Sequence, residues 1–550
     1  MTIRPALQGP GFRQSMAWLH TWAGLWFSWL LFAIFLTGTL AVFHDPINHW
    51  MKGGVSTAAA ERTIDRDRRL ALGLAYMARE HADRPMWEIW PANDDEGNAL
   101  NVFWKDDQGH YTKAWLDPST GQEYKPVKAV QMRETLGGHL FVDFHYRLHA
   151  GLAGLWIVAA ATVAMLVALV SGIVTHKRIF KDFFTFRPAK GQRSWLDGHN
   201  AAAVLSLPFQ FMIAFSGIAI SALTLFPAPI IAHYGPGDAG RAAFRTDRLP
   251  ASIRPVASGK TAGIPDLGQL ARRAEVQLGQ PVSAVTIDQP GDAAMRIAMY
   301  GAGEEHGARP HISRTTGMIA FDADSSVTDI RRPGEVAAGA ASLTNEILSS
   351  LHMAGFGGIV VKWIYFLCGL AGTAMMGTGA VLFMVKRRNR HGGEFGAATA
   401  RTYRVIEALN VAAITGLGLA CIGYLWANRL IPASLAHREL WEVRMFFAIW
   451  AIALAHACLR SPLRAWLEQL AALAVFCLVL PVLNLATTGD QLVSGLWRGD
   501  AEAAGVELAS LMFGSGALLS FMALRHKLSM SPSPRKCKTA SVKRSEVSGC

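Results

Sequence analysis

Charged side chains are scarce in this sequence. Asp, Glu, Lys and Arg make up 17% of the 550 residues, whereas soluble domains carry about 25%. A chain built only of soluble domains is therefore excluded. Apolar residues reach 51%, with 17 Trp and 27 Phe, which excludes a disordered or collagen-like chain. The class that remains is a polytopic membrane protein with some polar domain attached.

Cysteine is also rare, and none of the six cysteines forms a CxxC pair. We predict inert buried thiols rather than a disulfide framework. No glycine-rich segment follows a soluble strand and opens a helix, so a dinucleotide fingerprint and a P-loop are absent. The first apolar run is too long for a cleavable signal peptide. These absences exclude an ATPase and an NAD(P)H-binding enzyme. If the protein transfers electrons, the donor is a separate protein or a membrane quinol.

Eight apolar runs are long enough to cross a bilayer, which takes about 20 residues. Lys and Arg concentrate in the connections 176–198 and 386–404, in the link Arg460–Arg464 and in the C-terminal tail. All four lie on one side if the helices alternate, and the positive-inside rule makes that side cytoplasmic. The sequence therefore predicts a multi-pass membrane protein with both termini in the cytoplasm. The net charge of +12 reflects this topology and the contact with membrane lipid, and it indicates no nucleic-acid partner.

Two long polar segments, 44–144 and 227–350, then lie on the periplasmic side. In each, a helix precedes short strands that end in Pro, Ser, Thr and Gly turns. The predicted helices are Leu70–His81 and Leu267–Leu278. The predicted strands are Met86–Trp90, Ala99–Trp104, Tyr111–Leu116, Val282–Ile287, Met295–Tyr300 and His311–Ser313. We interpret the two segments as copies of one small α+β module.

The fold class is therefore a polytopic α-helical membrane protein with about eight transmembrane helices. Two periplasmic α+β modules are inserted between the first and second and between the third and fourth helices, as a parallel internal repeat. The predicted divisions are 1–43, 44–144, 145–226, 227–350, 351–390, an appended four-helix region at 391–526, and a basic tail at 527–550.

The repeat continues inside the membrane helices. Glycine follows His20 and His199 at the same interval of 18 residues, in the pairs Thr37-Gly38 and Ser216-Gly217. The second and fourth helices begin near His149 and His352 and end with Ser171-Gly172 and Thr378-Gly379. The interval from histidine to glycine is four residues longer in the fourth helix than in the second. Four residues are about one helical turn.

Ionisable side chains in membrane helices are costly and usually functional. His20 and His199 begin the odd helices at the cytoplasmic side, and His149 and His352 begin the even helices at the periplasmic side. Two histidines between facing helices suit a haem iron with two axial imidazoles. No carboxylate or thiolate recurs with them, so zinc fits less well. The sequence predicts two haems, bound through His20 with His199 and His149 with His352.

Other histidines remain as alternatives. His145 lies one turn before His149 and would replace it as a ligand or contact a substrate. His176 and His44 lie at helix ends without a counterpart in the repeat. His456 and Glu407 suit either a proton or quinone role or an ordinary polar contact. No catalytic residue is assigned.

The order of these motifs resembles the PepSY-associated transmembrane family. The resemblance covers about residues 12–390, and the helices over 401–526 lie beyond the family's four-helix core. It is carried by His20–Leu25, Leu148-His149, Leu196–His199 and Leu351-His352, and by the turns Asp117–Gly121 and Thr315–Gly317, which look like those of PepSY modules.

This resemblance implies an iron-regulated inner-membrane protein or ferric-siderophore reductase with two b-type haems. It implies axial ligation by His20, His199, His149 and His352. We expect an oxidoreductase that takes electrons from a cytoplasmic flavoprotein reductase or a membrane quinol and passes them to a ferric siderophore or another ferric chelate. Two alternatives remain: a non-enzymatic PepSY-type binding or protease-regulating protein, and a component of a ferric-chelate transporter.

Overall fold

The fold is taken from a computed structural model of the chain. It describes residues 11–53, 65–91, 100–105, 111–123, 133–176, 192–237, 239–240, 243–244, 255–301, 316–333, 339–390, 397–489, 492, 496–497 and 501–529. In chain order its longer helices are α1 (Phe12–Ala41), α2 (His44–Lys52), α3 (Arg66–Glu80), α4 (His139–Arg147), α5 (Gly151–Thr175), α6 (Gln192–Leu225), α7 (Ala228–Tyr234), α8 (Leu267–Leu278), α9 (Gly339–His352), α10 (Gly358–Arg390), α11 (Ala397–Val411), α12 (Leu417–Leu430), α13 (Arg438–Leu459), α14 (Pro462–Thr488) and α15 (Ala501–Ser529).

Eight of these helical stretches are long and apolar enough to cross a membrane, which confirms the predicted number. They are α1, α5, α6, α10, α13, α14, α15 and the continuous helix that α11 and α12 form through the π-helical turn Ala412–Gly416. Large apolar side chains such as Leu152, Ile157 and Phe211 remain exposed on α5 and α6. Lipid would cover these surfaces in a membrane.

Four of the membrane helices form a bundle. Helix α1 packs against α5 and α10, and α6 packs against α10 and, less extensively, against α5. Helices α1 and α6 therefore lie across a diagonal, as do α5 and α10. The bundle core continues into the later helices, because Leu31, Phe32, Met165 and Met375 belong to the same buried cluster as Leu417.

The polar segments form one antiparallel sheet of seven strands in the order β3-β2-β1-β4-β5-β6-β7. The strands are β1 (Met86–Trp90), β2 (Leu100–Lys105), β3 (Tyr111–Leu116), β4 (Val282–Asp288), β5 (Arg296–Gly301), β6 (Met318–Phe321) and β7 (Val327–Arg331). Five of the six predicted strands are confirmed within one or two residues. The predicted strand His311–Ser313 lies outside the described residues, and β6 and β7 were not predicted.

The two segments were predicted as separate modules, yet they share one sheet and one core. Strands β1 and β4 pair antiparallel in the middle, with Trp87 opposite Ile287 and Ile89 opposite Val285. Helices α3 and α8 pack together, and their apolar faces join a single buried cluster with both halves of the sheet. An isolated module would leave the backbone groups of β1 or β4 unpaired at an edge. Pairing the two strands satisfies both edges at once.

Local capping explains why α8 matches its predicted limits. The carboxylate of Asp266 accepts hydrogen bonds from the backbone N–H groups of Gly268 and Gln269 at the first turn, which is the usual role of an N-cap aspartate. The helix ends at Gly279, whose φ of 64° is in the left-handed region that glycine adopts without strain.

Candidate cofactor site

Four histidines meet as two pairs inside the four-helix bundle. The rings of His20 on α1 and His199 on α6 have centres 6.4 Å apart. The rings of His145 on α4 and His352 at the end of α9 have centres 6.1 Å apart. We call His145 and His352 the sheet-side pair, because they lie at the end of the bundle where the chain enters and leaves the sheet. His20 and His199 are the far-side pair.

The distance within each pair has a specific chemical meaning. Two imidazoles on opposite sides of one metal ion, each with a metal–nitrogen bond of about 2 Å, have ring centres about 6 Å apart. Both observed separations have this value. The geometry within each pair therefore fits two axial ligands of a single iron.

Each ring is oriented by a hydrogen bond at Nδ1. The acceptors are the carbonyl of Ala168 for His20 at 2.8 Å, that of Met375 for His199 at 2.9 Å, and that of Ile34 for His145 at 2.8 Å, while Nδ1 of His352 lies 3.0 Å from the Ser216 hydroxyl. A carbonyl accepts but never donates, so Nδ1 of His20, His199 and His145 must carry the proton. At His352 the Ser216 hydroxyl uses its one hydrogen to donate to the carbonyl of Met212, so it accepts from Nδ1 there as well. Nε2 then keeps its lone pair, which is the tautomer that a metal needs.

Each ring also packs on a glycine of a neighbouring helix. His20 lies against Gly172, His199 against Gly379, His145 against Gly38 and His352 against Gly217. A Cβ atom at these glycines would stand between 2.5 and 3.2 Å from the nearest ring atom. These are the four glycines of the Ser/Thr-Gly pairs in the sequence. Glycine recurs there because an imidazole occupies the space that a side chain would need.

The residue before each glycine completes the arrangement. The hydroxyls of Thr37, Ser171 and Thr378 lie within hydrogen-bond distance of the carbonyls of Ile34, Ala168 and Met375, respectively. These are the carbonyls that receive the Nδ1 hydrogen bonds. The repeated pair therefore combines a hydroxyl that contacts the acceptor carbonyl with a glycine that makes room for the ring.

His149 was predicted to face His352, but the structure places His145 there. Helix α4 ends at Arg147, and Leu148 and His149 then adopt left-handed backbone conformations with φ of 54° and 53°. This turn carries His149 away from the pair, and its Nδ1 lies 2.7 Å from the Asp143 carboxylate instead. The sequence contained the signal: Gly172 follows His145 by 27 residues, and Gly379 follows His352 by the same number.

The other alternative histidines lie outside both pairs. His176 follows the last turn of α5, and its backbone N–H donates to the carbonyl of Gly172. His44 contacts Asp45, with 2.9 Å between Nε2 and the carboxylate, and its ring centre is 5.3 Å from that of His139.

The donor set of each pair suits an iron macrocycle. His145 and His352 lie outside the eight candidate membrane spans, and burial lowers the pKa of both imidazoles, so both are neutral near pH 7 and able to bind a metal. Within the described part of the chain, no three His, Cys, Asp or Glu side chains converge as they would around a bare metal ion. Two imidazoles suffice where a porphyrin supplies the remaining four ligands.

A buried polar network ties the later helices to the sheet-side end. Arg438 and Glu442 on α13 form an ion pair in which both side chains are 0% exposed. Glu442 also accepts hydrogen bonds from the Thr135 hydroxyl and the Asn428 amide, and Arg438 donates to the carbonyl of Glu134 at 3.0 Å. The network therefore holds the segment that leads into α4 and His145.

Arg429 binds the other segment at this end, which is α2. Its guanidinium lies 3.6 Å from the centre of the Trp50 ring and donates to the carbonyl of Trp50, at the end of α2. It also donates to the Asn484 amide oxygen, and the Asn484 amide donates to Glu507. Helices α12 to α15 thus contact both segments that connect the first half of the bundle to the sheet, namely α2 and the residues before α4. Sequence reasoning missed this role, because none of these contacts is local in sequence.

Comparison with known proteins identifies relatives of the chain. A family model described as the PepSY-associated TM region matches residues 17–386, a range that contains all four paired histidines and their four glycines. The chain is also similar to an uncharacterized protein of Pseudomonas aeruginosa, with 24% identity over 399 residues. This alignment covers 68% of the chain and 92% of that protein.

Proposed function

The chain belongs to the PepSY-associated transmembrane family, and from that premise we propose that it is a two-haem electron conduit of the bacterial inner membrane. Its proposed reaction is the one-electron reduction of ferric siderophores, or similar ferric chelates, on the periplasmic side. The supporting observation is the presence of two histidine pairs, with ring centres 6.4 and 6.1 Å apart. When bound, a b-type haem supplies a one-electron Fe(III)/Fe(II) carrier.

His20 and His199 would hold one haem at the far side, and His145 and His352 would hold the other at the sheet side. The Nδ1 hydrogen bonds fix the ring planes and increase the electron donation of each imidazole to a metal. Stronger donation favours ferric over ferrous iron and lowers the reduction potential. A low potential suits the reduction of ferric chelates, which resist reduction.

The separation of the pairs supports passage across the membrane. Gly38 lies at the level of the sheet-side pair, and His20 lies 18 residues earlier on the same helix, which corresponds to about 27 Å along α1. His199 and Gly217 on α6 repeat this interval. The hydrocarbon core is about 30 Å thick, so the two pairs lie near opposite faces. One turn beyond His20, no atom lies within 4 Å of a Cβ built at Gly24, which leaves room toward the bilayer centre.

The basic connections and tail support a cytoplasmic location for the far side and a periplasmic location for the sheet. A cytoplasmic flavoprotein reductase or a membrane quinol is the proposed donor. The proposed acceptor is a ferric chelate docked at the sheet. One electron converts its Fe(III) to Fe(II), and a chelator selective for Fe(III) then releases the metal without any bond of the chelator being broken.

The absorption spectrum of the purified protein tests this proposal. We expect a six-coordinate b-type spectrum with two haems per chain, and the loss of one haem in His145→Ala and in His352→Ala. His149→Ala is the matched control, since His149 lies four residues from His145 but outside the pair, and it should keep both haems. A colourless protein would instead favour the binding or protease-regulating alternative.

A second measurement tests the reaction itself. Protein reduced with dithionite, freed of excess reductant and mixed with a ferric siderophore should return to the oxidised spectrum as Fe(II) appears. A reduced spectrum that persists would contradict reductase activity. Movement of an intact ferric chelate across vesicle membranes, with no change in the iron oxidation state, would favour a transporter.

A further inference from the structure

The two histidine pairs differ in the angle between their rings. The ring planes of His20 and His199 are inclined at 71° to each other, so the far-side rings are close to perpendicular. Those of His145 and His352 are inclined at only 32°, so the sheet-side rings are closer to parallel. The ring centres are 6.4 and 6.1 Å apart, which means that the pairs differ in ring rotation much more than in spacing.

The hydrogen bonds at Nδ1 fix these rotations. A ring that binds iron through Nε2 can still turn about the iron–nitrogen axis, and Nδ1 lies off that axis. A hydrogen bond from Nδ1 to a fixed acceptor therefore sets the ring plane as well as the tautomer. Both far-side rings and His145 bond to backbone carbonyls, whereas Nδ1 of His352 lies 3.0 Å from the side-chain hydroxyl of Ser216.

Ser216 itself is fixed by the backbone of α6. Its side chain is 1% exposed, and its hydroxyl donates to the carbonyl of Met212 at 2.7 Å and lies 3.3 Å from that of Ile213. Ile213 is four residues before Gly217, which is the position of the acceptor carbonyl in the other three units. This carbonyl also lies near the ring of His352. A backbone acceptor is therefore available if the hydroxyl is removed.

A second side chain holds the backbone at His352. The hydroxyl of Tyr365 on α10 donates to the carbonyl of Leu351, the residue before the histidine. Tyr365 follows His352 by 13 residues, and the residue that follows His145 by the same number is Val158, which has no hydroxyl. Side chains of α6 and α10 thus hold the ring and the backbone of this histidine.

We infer that Ser216 is a positioning residue that sets the ring plane of His352, so that the sheet-side haem has ligand planes close to parallel and the far-side haem has crossed ligand planes. The inference rests on the proposed function. It assigns a specific role to a hydroxyl on α6, and it means that the two haems differ although both have two histidine ligands.

The difference should be visible in the ferric iron. Each imidazole donates π-electron density into the iron d orbital that overlaps with the π system of its ring. Parallel rings donate into the same orbital and separate it in energy from its partner, whereas perpendicular rings raise both orbitals equally. The unpaired electron of low-spin ferric iron occupies these orbitals, so the two arrangements give different electron paramagnetic resonance (EPR) signals.

The first test is the EPR spectrum of the purified ferric protein with both haems bound. We expect a rhombic signal with three well-separated g values from the sheet-side haem. The far-side haem should give a strongly anisotropic signal with a larger maximum g value. His145→Ala, which should keep only the far-side haem, should lose the rhombic signal alone. Two signals of the same type in the unmodified protein would overturn the inference.

Ser216→Ala tests the residue itself. It leaves the Ile213 carbonyl as the acceptor for His352, so the sheet-side pair would have two backbone acceptors, as the far-side pair has. The rhombic signal should move toward the strongly anisotropic type, and the far-side signal should stay unchanged. Ser216→Cys introduces a weak acceptor of similar size and should shift the signal in the same direction. Ser216→Thr keeps a hydroxyl and should preserve the rhombic signal.

Thr37→Ala is the matched control. The Thr37 hydroxyl donates to the Ala33 carbonyl at 2.8 Å, and His145 bonds to the backbone of Ile34, so both signals should equal those of the unmodified protein. An unchanged rhombic signal in Ser216→Ala or in Ser216→Cys, with both haems bound, would overturn this inference alone. An unmodified protein that purifies without haem would overturn the proposed function.

Discussion

The candidate site is built from a unit of three neighbouring groups that occurs four times. A histidine ring lies on a glycine, its Nδ1 bonds to an acceptor on the helix that carries the glycine, and a Ser or Thr hydroxyl precedes that glycine. Each part has a physical reason. The glycine provides space, the acceptor fixes the tautomer, and the hydroxyl bonds to its own helix. Replacing any one of them should affect one histidine pair and leave the other intact.

Gly38→Ala tests the role of glycine. A Cβ at Gly38 would stand 2.5 Å from Nδ1 of His145, so the His145 ring would have to move away from its observed position. We expect the haem content to fall from two to one per chain, with the far-side spectrum unchanged. Gly516→Ala on α15 is the control, because nothing lies within 4 Å of its Cβ position, and both haems should remain. Two haems in Gly38→Ala would contradict the proposed packing.

Helices α11 to α15 lie beyond the family match. In the structure they hold the segments next to the sheet-side pair in place. Their buried ion pair and amides hold Glu134 and Thr135 before α4, and the end of α2. Phe144, next to His145, also packs on Phe446 and Trp450. The appended helices therefore stabilise the sheet-side pair from the side of α4.

Glu442→Gln should weaken this support. It leaves the fully buried Arg438 without its counter-charge, and breaking a buried pair in this way costs about 3–5 kcal/mol. We expect a lower melting temperature and loss of the sheet-side haem before the far-side haem during thermal denaturation. Glu468→Gln is the control, since its partner Arg460 is half-exposed and surface pairs contribute little. Simultaneous loss of both haems in Glu442→Gln would argue against a local role.

At the scale of the whole molecule, two similar sets of helices extend from the far-side pair to the sheet. Helices α1 and α6 each place a histidine near one end and a glycine about 27 Å away at the other. The two polar segments meet in one sheet above the same bundle. Such an arrangement suits vectorial transfer, with the donor and the acceptor in different compartments.

Proteoliposomes with a reductant enclosed and a ferric chelate outside test this transfer. In vesicles oriented with the sheet outward, the unmodified protein should produce Fe(II) outside. His20→Ala should reduce this rate to that of protein-free vesicles, because the far-side pair is lost. External dithionite should still reduce the remaining sheet-side haem of that variant. Equal rates for His20→Ala and the unmodified protein would contradict a conduit with two haems in series.

Much of the fold can be predicted from the sequence, because the patterns that indicate it lie within short stretches of the chain. Runs of about 20 apolar residues show the membrane helices, alternating residues show five of the strands, and Asp266 and Gly279 bound α8. The far-side pair was also predicted, since His20 and His199 occupy equivalent places in the repeat and the structure brings them together. The sheet-side pair was predicted with His149 because Leu148-His149 matches Leu351-His352 as a helix start. The equal spacing of 27 residues, from His145 to Gly172 and from His352 to Gly379, indicates His145 instead.

The sequence alone settles which segments are apolar and where histidine and glycine recur, because these are properties of neighbouring residues and fixed intervals. Tertiary structure decides the rest. The left-handed turn after α4 puts His145 rather than His149 opposite His352, and the pairing of β1 with β4 merges two modules into one sheet. Both outcomes depend on contacts between residues that are distant in sequence, whose relative positions are set only when the whole chain packs.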